Sequence, residues 1–432
     1  MNFRRLVKLF IPTRLFRLIE PWGHLAEAVI LNLLYGFPAR GMKVIGVTGT
    51  NGKTTTSFLI HKVLSQAGYK AGLMTTVAYG AGEEIRPQIQ HMTNVSVPQL
   101  MKRLRFMRRQ KIDWLVLETT SHALGQNRVW GVPFSLAVMT NVTHEHLDYH
   151  GTFERYLTAK RKLFRLTNRH RNGLRTGVIN ADDPSAELFQ HDIRRAITYG
   201  LMKGELKASD VKSTTAGSEF EARFGDQKLH IKTNLPGSFN VYNALAAAGV
   251  GLALGVKPAD IEQGIAALQN VEGRMNRINA GQEFDVIVDF AHTPDSFEKL
   301  FADLKPVSEG KLITVFGSAG ERDKTKRAVQ GELAGKYCDE LVITEEDDRH
   351  EDGHAIMEQI ASGAEKAGKL RDNNLFLIHD RTEAIKFAFG RAKAGDTVLL
   401  LGKGHEKTIE RVDGEHPWNE SEVAEQILKS AV

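Results

Sequence analysis

A Gly-Lys-Thr step at the mouth of a helix narrows the folds open to this chain more than any other feature. Val44-Ile45-Gly46-Val47 is a short apolar strand, Thr48 to Gly52 is a glycine-bearing loop, and a helical run extends from Lys53 to Ala67. A strand that turns through such a loop into a helix gathers backbone N–H groups and the helix's positive end around one point. That arrangement suits a phosphate. Gly49, Thr50, Asn51, Gly52 and Thr55 are the loop residues expected against the phosphates. Lys53 would offset charge on the β- and γ-phosphates, and the Thr54 hydroxyl would ligate Mg²⁺. The spacing departs from the common G-x-x-x-x-G-K-[ST] pattern, which wants Gly at 47, where this chain has Val47; its glycines stand at 46, 49 and 52.

The grammar around the loop is α/β. Trp114-Leu115-Val116-Leu117 and Leu136-Ala137-Val138-Met139 read as further buried strands, each ending where polar residues begin. Such alternation predicts a mostly parallel sheet with helices on both faces. Residues 196–235 alternate polar and apolar with turn signals and predict a small antiparallel insert, followed by a helix from Val241 to Leu254. Near Val271–Arg274 the pattern restarts, with strand-like runs at 286–288, 312–316, 341–343 and 398–401. At roughly 100–200 residues per domain, 432 residues make two or three domains. The expected fold is α/β: a central P-loop ATPase-type sheet domain over 43–272 and a Rossmann-like α/β domain over 273–432. A short basic helical segment over 1–42 precedes them.

Charge is concentrated in that leading segment. Residues 1–43 hold seven cations and two anions and so account for the whole net charge of +5, leaving a neutral body. A neutral body with a basic head does not suit a nucleic-acid-binding protein; it marks one locally basic surface. Phe3, Leu6, Val7 and Phe10 recur at helical spacing beside Arg4, Arg5 and Lys8, with Pro12 and Pro21 as punctuation. The apolar stretch Leu25–Phe37 is too short against the roughly 20 residues that cross a bilayer. Two readings stay open: a basic amphipathic helix on an anionic membrane surface, or a helical hairpin packed on the body. A single cysteine, Cys338, and no cleavable secretion signal point to a reducing, cytoplasmic compartment.

Two polar segments follow buried strands, where open α/β sheets collect their ligands. Glu118-Thr119-Thr120-Ser121-His122 follows the first, and Asn141–Gly151, with His144, Glu145, His146, Asp148 and His150, follows the second. A solvated polar loop is one reading of the second segment. A Mg²⁺–nucleotide centre beside the phosphate loop is the other.

The run Gly49-Thr50-Asn51-Gly52-Lys53-Thr54-Thr55-Thr56 resembles the ATP loop of the Mur ligases, and residues 43 to about 425 follow that family's order, most like its MurE type. The resemblance implies an ATP-dependent carboxylate–amine ligase working through an acyl phosphate, with ATP and Mg²⁺. It implies metal ligation by Thr54, Glu118, His146 and a carbamylated Lys160, the last within Tyr156–Phe164. Taken only as residues, Lys160 is equally an ordinary lysine in a basic helix. Lys53, Glu118, His146, Lys160 and Arg274 are then the catalytic set. Asn240 and Asn243 would contact the adenine side of ATP, or else cap their helix. Arg274 would reach the γ-phosphate, and Asp289 with His292 the ribose and phosphate.

The resemblance assigns the acceptor, a peptidoglycan-precursor peptide, to Thr93, Ser121 and Arg128. It assigns the amino acid to Arg322, Asp348, Arg349, Gly402 and Glu406. Glu346-Asp347-Asp348-Arg349 stands where MurE enzymes that add meso-diaminopimelate commonly read Asp-Asn-Pro-Arg, so meso-diaminopimelate and L-lysine both stay open. His91-Met92-Thr93 replaces the usual Thr-Thr-Pro, and only about 43 residues precede the phosphate loop. These departures suggest an acceptor carried on something other than UDP, such as a lipid, or held through a partner protein. The rival readings are a ligase of folylpolyglutamate type and a non-catalytic ATP-binding scaffold held at the membrane.

Overall fold

The computed structural model describes residues 13–88, 93–143, 145 and 147–430. The chain forms two compact units. The first comprises the residues up to Val211 with Glu219–Lys232 and Phe239–Leu268; the second comprises Lys212–Ser218, Thr233–Ser238 and the residues from Gln269 on.

The larger sheet contains, in chain order, β1 (Lys43–Thr48), β2 (Ala71–Met74), β3 (Ala78–Ala81), β4 (Glu84–Pro87), β5 (Trp114–Glu118) and β6 (Phe134–Met139). It continues with β7 (Thr176–Asn180), β8 (Arg195–Gly200), β9 (Leu206–Thr214), β10 (Gly217–Phe224) and β11 (Gln227–Thr233). Their spatial order is β11-β10-β9-β8-β7-β6-β1-β5-β2-β3-β4. β1 sits between β6 and β5 and runs parallel to both, with Gly46 opposite Ala137 and Leu117. Burial on both faces explains why these strands are nearly continuous apolar runs rather than alternating ones.

The expected insert over 196–235 is corrected in one respect. β8 pairs parallel with both β7 and β9, with Tyr199 opposite Leu206, so this segment extends the central sheet instead of standing apart. Alternating polarity reports a half-buried strand but not which way its neighbour runs.

The helices that matter for the site are α1 (Thr13–Leu34), α2 (Lys53–Gln66), α3 (Val97–Arg109), α4 (Phe153–Arg169) and α5 (Ser238–Ala253). Pro21 does not end α1, contrary to its reading as punctuation. An interior proline costs about 3 kcal/mol, and packing offsets it: His24, Ala28 and Asn32 are buried. Asn127 Nδ2 donates to the Pro21 carbonyl at 3.2 Å, and Asn32 Nδ2 to the Trp130 carbonyl at 3.2 Å. The start of the basic head, with Phe3, Leu6, Val7 and Phe10, lies outside the described residues.

α4 starts at Thr152, whose hydroxyl accepts from the Arg155 N–H, and buries Tyr156, Leu157, Lys160, Leu163, Phe164 and Thr167 at helical spacing. It can lie close to β1 because position 46 is glycine. A Cβ there would come within 2.6 Å of Leu163 Cδ1 and 2.8 Å of Phe134 Cδ1.

The second unit carries the smaller sheet, with β12 (Asn276–Ile278), β13 (Asp285–Asp289), β14 (Leu312–Phe316), β15 (Glu340–Ile343), β16 (Leu375–Leu377) and β17 (Thr397–Leu401). Its order is β12-β13-β17-β14-β15-β16, antiparallel only at the β12 edge. A hairpin of β18 (Thr408–Arg411) and β19 (Gly414–Pro417) follows.

On α2, eight residues beyond Lys53, His61 is 2% exposed and its Nε2 has no hydrogen-bond partner. Burial, then the Lys62 charge, pulls its pKa down to about 4, against the pull of the Ala71 and Gly82 backbone. An unfolded histidine titrates near 6.5, so the unfolded chain binds the extra proton first as pH falls. The stability that neutral His61 secures is complete above about 6.5 and is lost from there down to about 4. The expected loss is about 3 kcal/mol. Urea unfolding at several pH values should show this slope in the wild type and a flatter one in His61→Leu; parallel slopes would contradict it.

Candidate active site

The phosphate loop leaves the carboxyl end of β1 and is stitched to the loop after β6. Thr50 N–H donates to the Asn141 carbonyl at 2.8 Å and Asn51 N–H to Asn141 Oδ1 at 2.9 Å. Thr140 Oγ1 donates to the Asn51 carbonyl at 2.6 Å. Gly52 caps α2 with φ of 80°, a left-handed conformation that favours glycine. A Cβ there would also lie 2.3 Å from Asn243 Oδ1. Asn243 therefore does not cap α5: its Oδ1 accepts from Thr56 Oγ1 at 3.1 Å, and its Nδ2 donates to Asn240 Oδ1 at 2.8 Å. Both expected adenine-side asparagines are buried behind the phosphate loop.

Beside the loop, Glu118 at the end of β5 is 2% exposed and gathers donors. Its Oε2 accepts from Thr54 Oγ1 and from Thr76 N–H, each at 2.9 Å, and its Oε1 accepts from Thr76 Oγ1 at 3.1 Å. A carboxylate and a hydroxyl in contact are hard oxygen donors of the kind Mg²⁺ selects. The donor set fits that ion.

Lys160 reaches the same loop from α4. Its Nζ donates to the Gly49 carbonyl and lies 4.4 Å from the centre of the Tyr156 ring. Lys53 Nζ donates to the Thr50 carbonyl at 2.7 Å. Complete burial, then the Lys53 charge, drives the Lys160 ammonium well below the usual lysine pKa, against Glu145 and Asp183. Lys160 is no surface lysine. Burial, then Glu145, pushes the Tyr156 phenol upward, so it stays protonated while its OH meets Thr50 Oγ1 at 3.0 Å.

Lys53, Thr54, Glu118 and Lys160 thus come together around one loop. His146 lies outside the described residues. Thr93, Ser121 and Arg128 are set close by: Thr93 Oγ1 lies 2.9 Å from Thr76 Oγ1, and Arg128 Nη1 donates to the Asn94 carbonyl at 2.7 Å. Ser121 Oγ meets His150 Nε2 at 3.0 Å.

The remaining expected residues stand in the second unit. Asp289, at the end of β13, accepts from Met275 N–H and Ala291 N–H, each at 2.8 Å. Burial raises its pKa, while Arg274 opposes the rise. Arg274 lies over the Phe290 ring at 4.8 Å, and His292 Nδ1 meets the Phe290 carbonyl at 2.8 Å. Arg322 is exposed.

Arg349 donates to Glu410 Oε2 at 2.8 Å and to the Gly320 carbonyl at 2.7 Å. Glu406 likewise accepts from Lys403 Nζ at 2.7 Å, and Lys403 also binds Asp347 at 2.8 Å. Burial works against the Lys403 charge, but Glu406 and Asp347 hold its pKa above the ordinary value. Asp348 meets His379 at 2.8 Å. Burial raises its pKa despite that histidine. Gly402 has φ of 100° and packs against Glu346.

Sequence reasoning missed Thr76 and the role of Asn94, whose Nδ2 donates to the Glu118 carbonyl at 2.8 Å and whose Oδ1 accepts from Thr120 N–H at 2.7 Å. Thr76 lies just past the end of β2, so the strand-end signal applied to it. β2 is only four residues long, too short a run to stand out as a strand in the sequence.

Residues 47–251 match the Mur ligase middle domain, and 273–404 match the Mur ligase, glutamate ligase domain. A UDP-N-acetylmuramyl-tripeptide synthetase of Roseiflexus sp. (strain RS-1) is 43% identical over 423 residues, covering 94% of this chain and 82% of that protein. A UDP-N-acetylmuramoyl-L-alanyl-D-glutamate--2,6-diaminopimelate ligase of Syntrophomonas wolfei is 39% identical over 420 residues, with 96% and 84% covered. The solved structure of a ligase with that same name superimposes with a TM-score of 0.67 at 30% identity, over 96% of this chain and 83% of the other. A folylpolyglutamate synthase of Mycobacterium tuberculosis gives a TM-score of 0.70 at 15% identity, over 94% and 95%, and shares the fold.

Glu118→Ala would strip the acceptor from three donors, one on buried Thr54 and two on half-buried Thr76. The expected cost is about 2–3 kcal/mol, read as a lower denaturation midpoint, with Glu118→Gln costing about 1 kcal/mol. Equal stability of Glu118→Ala and wild type would contradict the network.

Proposed function

The chain belongs to the Mur ligase family, and from that premise we propose that it is an ATP-dependent ligase. It joins a carboxylate of a muramoyl-peptide-type peptidoglycan precursor to the amine of a diamino acid. The observation that carries this reading is the convergence of Lys53, the Thr54–Glu118 pair and buried Lys160 at one phosphate loop.

A carboxylate is a poor electrophile, so amide formation needs activation. Transfer of the γ-phosphoryl group of ATP to the acceptor carboxylate breaks the γ-phosphorus–bridging oxygen bond and makes an acyl phosphate, leaving ADP. The amine then adds to the acyl carbon, phosphate departs with its bonding pair, and the amine loses a proton. Loop N–H groups and Lys53 hold and offset charge on the transferring group, which is the main burden in phosphoryl transfer. Thr54 and Glu118, with His146, are the residues assigned to Mg²⁺, which when bound supplies charge neutralisation at the phosphates.

Lys160 enters as a carbamate. Burial and the Lys53 charge favour its neutral amine, the form that adds to CO₂: an N–C bond forms and a proton leaves. The product places a negative oxygen where an ammonium would oppose a cation.

Arg274, Asp289 and His292 are assigned to the nucleotide. Arg322, Asp348, Arg349, Gly402 and Glu406 are assigned to the amino acid, with meso-diaminopimelate or L-lysine as the diamino acid. Thr93, Ser121 and Arg128 are assigned to the acceptor peptide. In this reading 43–272 is the ATP-binding domain and 273–432 the amino-acid domain.

Phosphate release should require ATP, acceptor and amino acid together, tested with UDP-linked and UDP-free acceptors and a panel of diamino acids. Release that ignores the amino acid would overturn the ligase reading. Lys53→Ala should lower kcat by at least about 10²-fold; an unchanged rate would contradict its role. Activity lost in Lys160→Ala should return in part on adding a short carboxylic acid, and no return would count against the carbamate.

A further inference from the structure

α1 packs on the body by one stripe and leaves the opposite one bare. His24, Ala28 and Asn32, four residues apart along one line of the helix, are buried. On the other side Ile19, Trp22, Ala26, Ile30, Leu33 and Leu34 recur at three- and four-residue steps and are all exposed. Trp22 is 70% exposed and Leu34 75%. Scattered apolar residues on a surface are ordinary. Here five of the thirteen large apolar side chains exposed among the described residues share one helix face of 16 residues, with no charged side chain among the exposed positions of that face. The face is roughly 22 Å long at 1.5 Å per residue. Continuous apolar surface of this kind marks a contact.

The charge pattern names the partner. Five cations, Arg4, Arg5, Lys8, Arg14 and Arg17, precede the first acidic residue, Glu20. An apolar helix face continued by a stretch carrying only positive charge is what binds an anionic interface, by burial of the face and attraction of the cations. Another protein surface would demand shape complementarity but not a one-signed charge block. No helix among the described residues is long and apolar enough to cross a membrane, so the helix lies along the surface and does not span it.

We propose that the outward face of α1, Ile19 to Leu34, docks the protein on an anionic lipid bilayer. The same helix carries Glu20, whose Oε2 accepts from Tyr149 OH at 3.4 Å, and Pro21, whose carbonyl accepts from Asn127. It therefore ties the bilayer to the loops flanking Ser121 and Arg128. The docking itself needs no nucleotide, so it stands or fails separately from the ligase reading.

The test is co-sedimentation of the full chain with sucrose-loaded vesicles of phosphatidylcholine, alone or with 30% phosphatidylglycerol. Wild type should pellet with the anionic vesicles, with at least ten-fold weaker binding to phosphatidylcholine and a marked loss at 0.5 M salt. The Trp22→Ser/Leu33→Ser variant should bind at least ten-fold more weakly, with an unchanged melting temperature and unchanged ligase activity in vesicle-free solution. No binding to anionic vesicles, or equal binding by wild type and variant, would overturn the proposal. So would a dimer, seen by light scattering without lipid, that those two substitutions dissociate, because the face would then join two copies of the chain.

Discussion

Enclosing the Lys160 amine behind the phosphate loop, within reach of the Lys53 charge, is the costly arrangement on which the first unit depends. A bare ammonium out of water is strongly disfavoured unless paired. Lys160 meets a backbone carbonyl and an aromatic face, and the charges acting on it are split between one repelling cation, Lys53, and two attracting acids, Glu145 and Asp183. The fold sustains this through packing. Gly46 lets α4 press on β1, and Leu163 and Phe164 on the same face as Lys160 are fully buried. A lysine whose charge is disfavoured by burial at the edge of a phosphate loop has little value as scaffolding. It has chemical value if its nitrogen is to react or to meet a metal.

Glu118 is the complement of that arrangement. A buried carboxylate is tolerated because three donors satisfy it, and those donors come from two segments far apart in sequence: Thr54 on α2 and Thr76 after β2. Neighbouring strand ends thus fix the carboxylate and the hydroxyl in one geometry before any ligand arrives. Preorganisation of this sort is what electrostatic catalysis requires.

The legible parts of the molecule were those with a short-range pattern. Val44–Val47 followed by Gly49–Thr56 announced the loop, and Trp114–Leu117 and Leu136–Met139 announced its neighbours, since burial on both faces writes a continuous apolar run. What stayed hidden depended on adjacency. Thr76 is meaningful only because β2 lies beside β5, and the Asn243 contact with Thr56 only because α5 returns behind the loop. The Arg349 contact with Glu410 stayed hidden because the hairpin that carries Glu410 lies sixty-one residues on. Pro21 misled for a related reason: local propensity spoke for a break, and contacts from Asn127 and Asn32 outweighed it.

The central claim is that the acceptor carboxylate is itself phosphorylated before the amine arrives. Labelling that carboxylate with ¹⁸O and analysing the released phosphate by mass spectrometry tests it most directly. The account predicts one labelled oxygen in each phosphate, carried over when the acyl phosphate collapses. Phosphate free of label, released in step with amide formation, would contradict it.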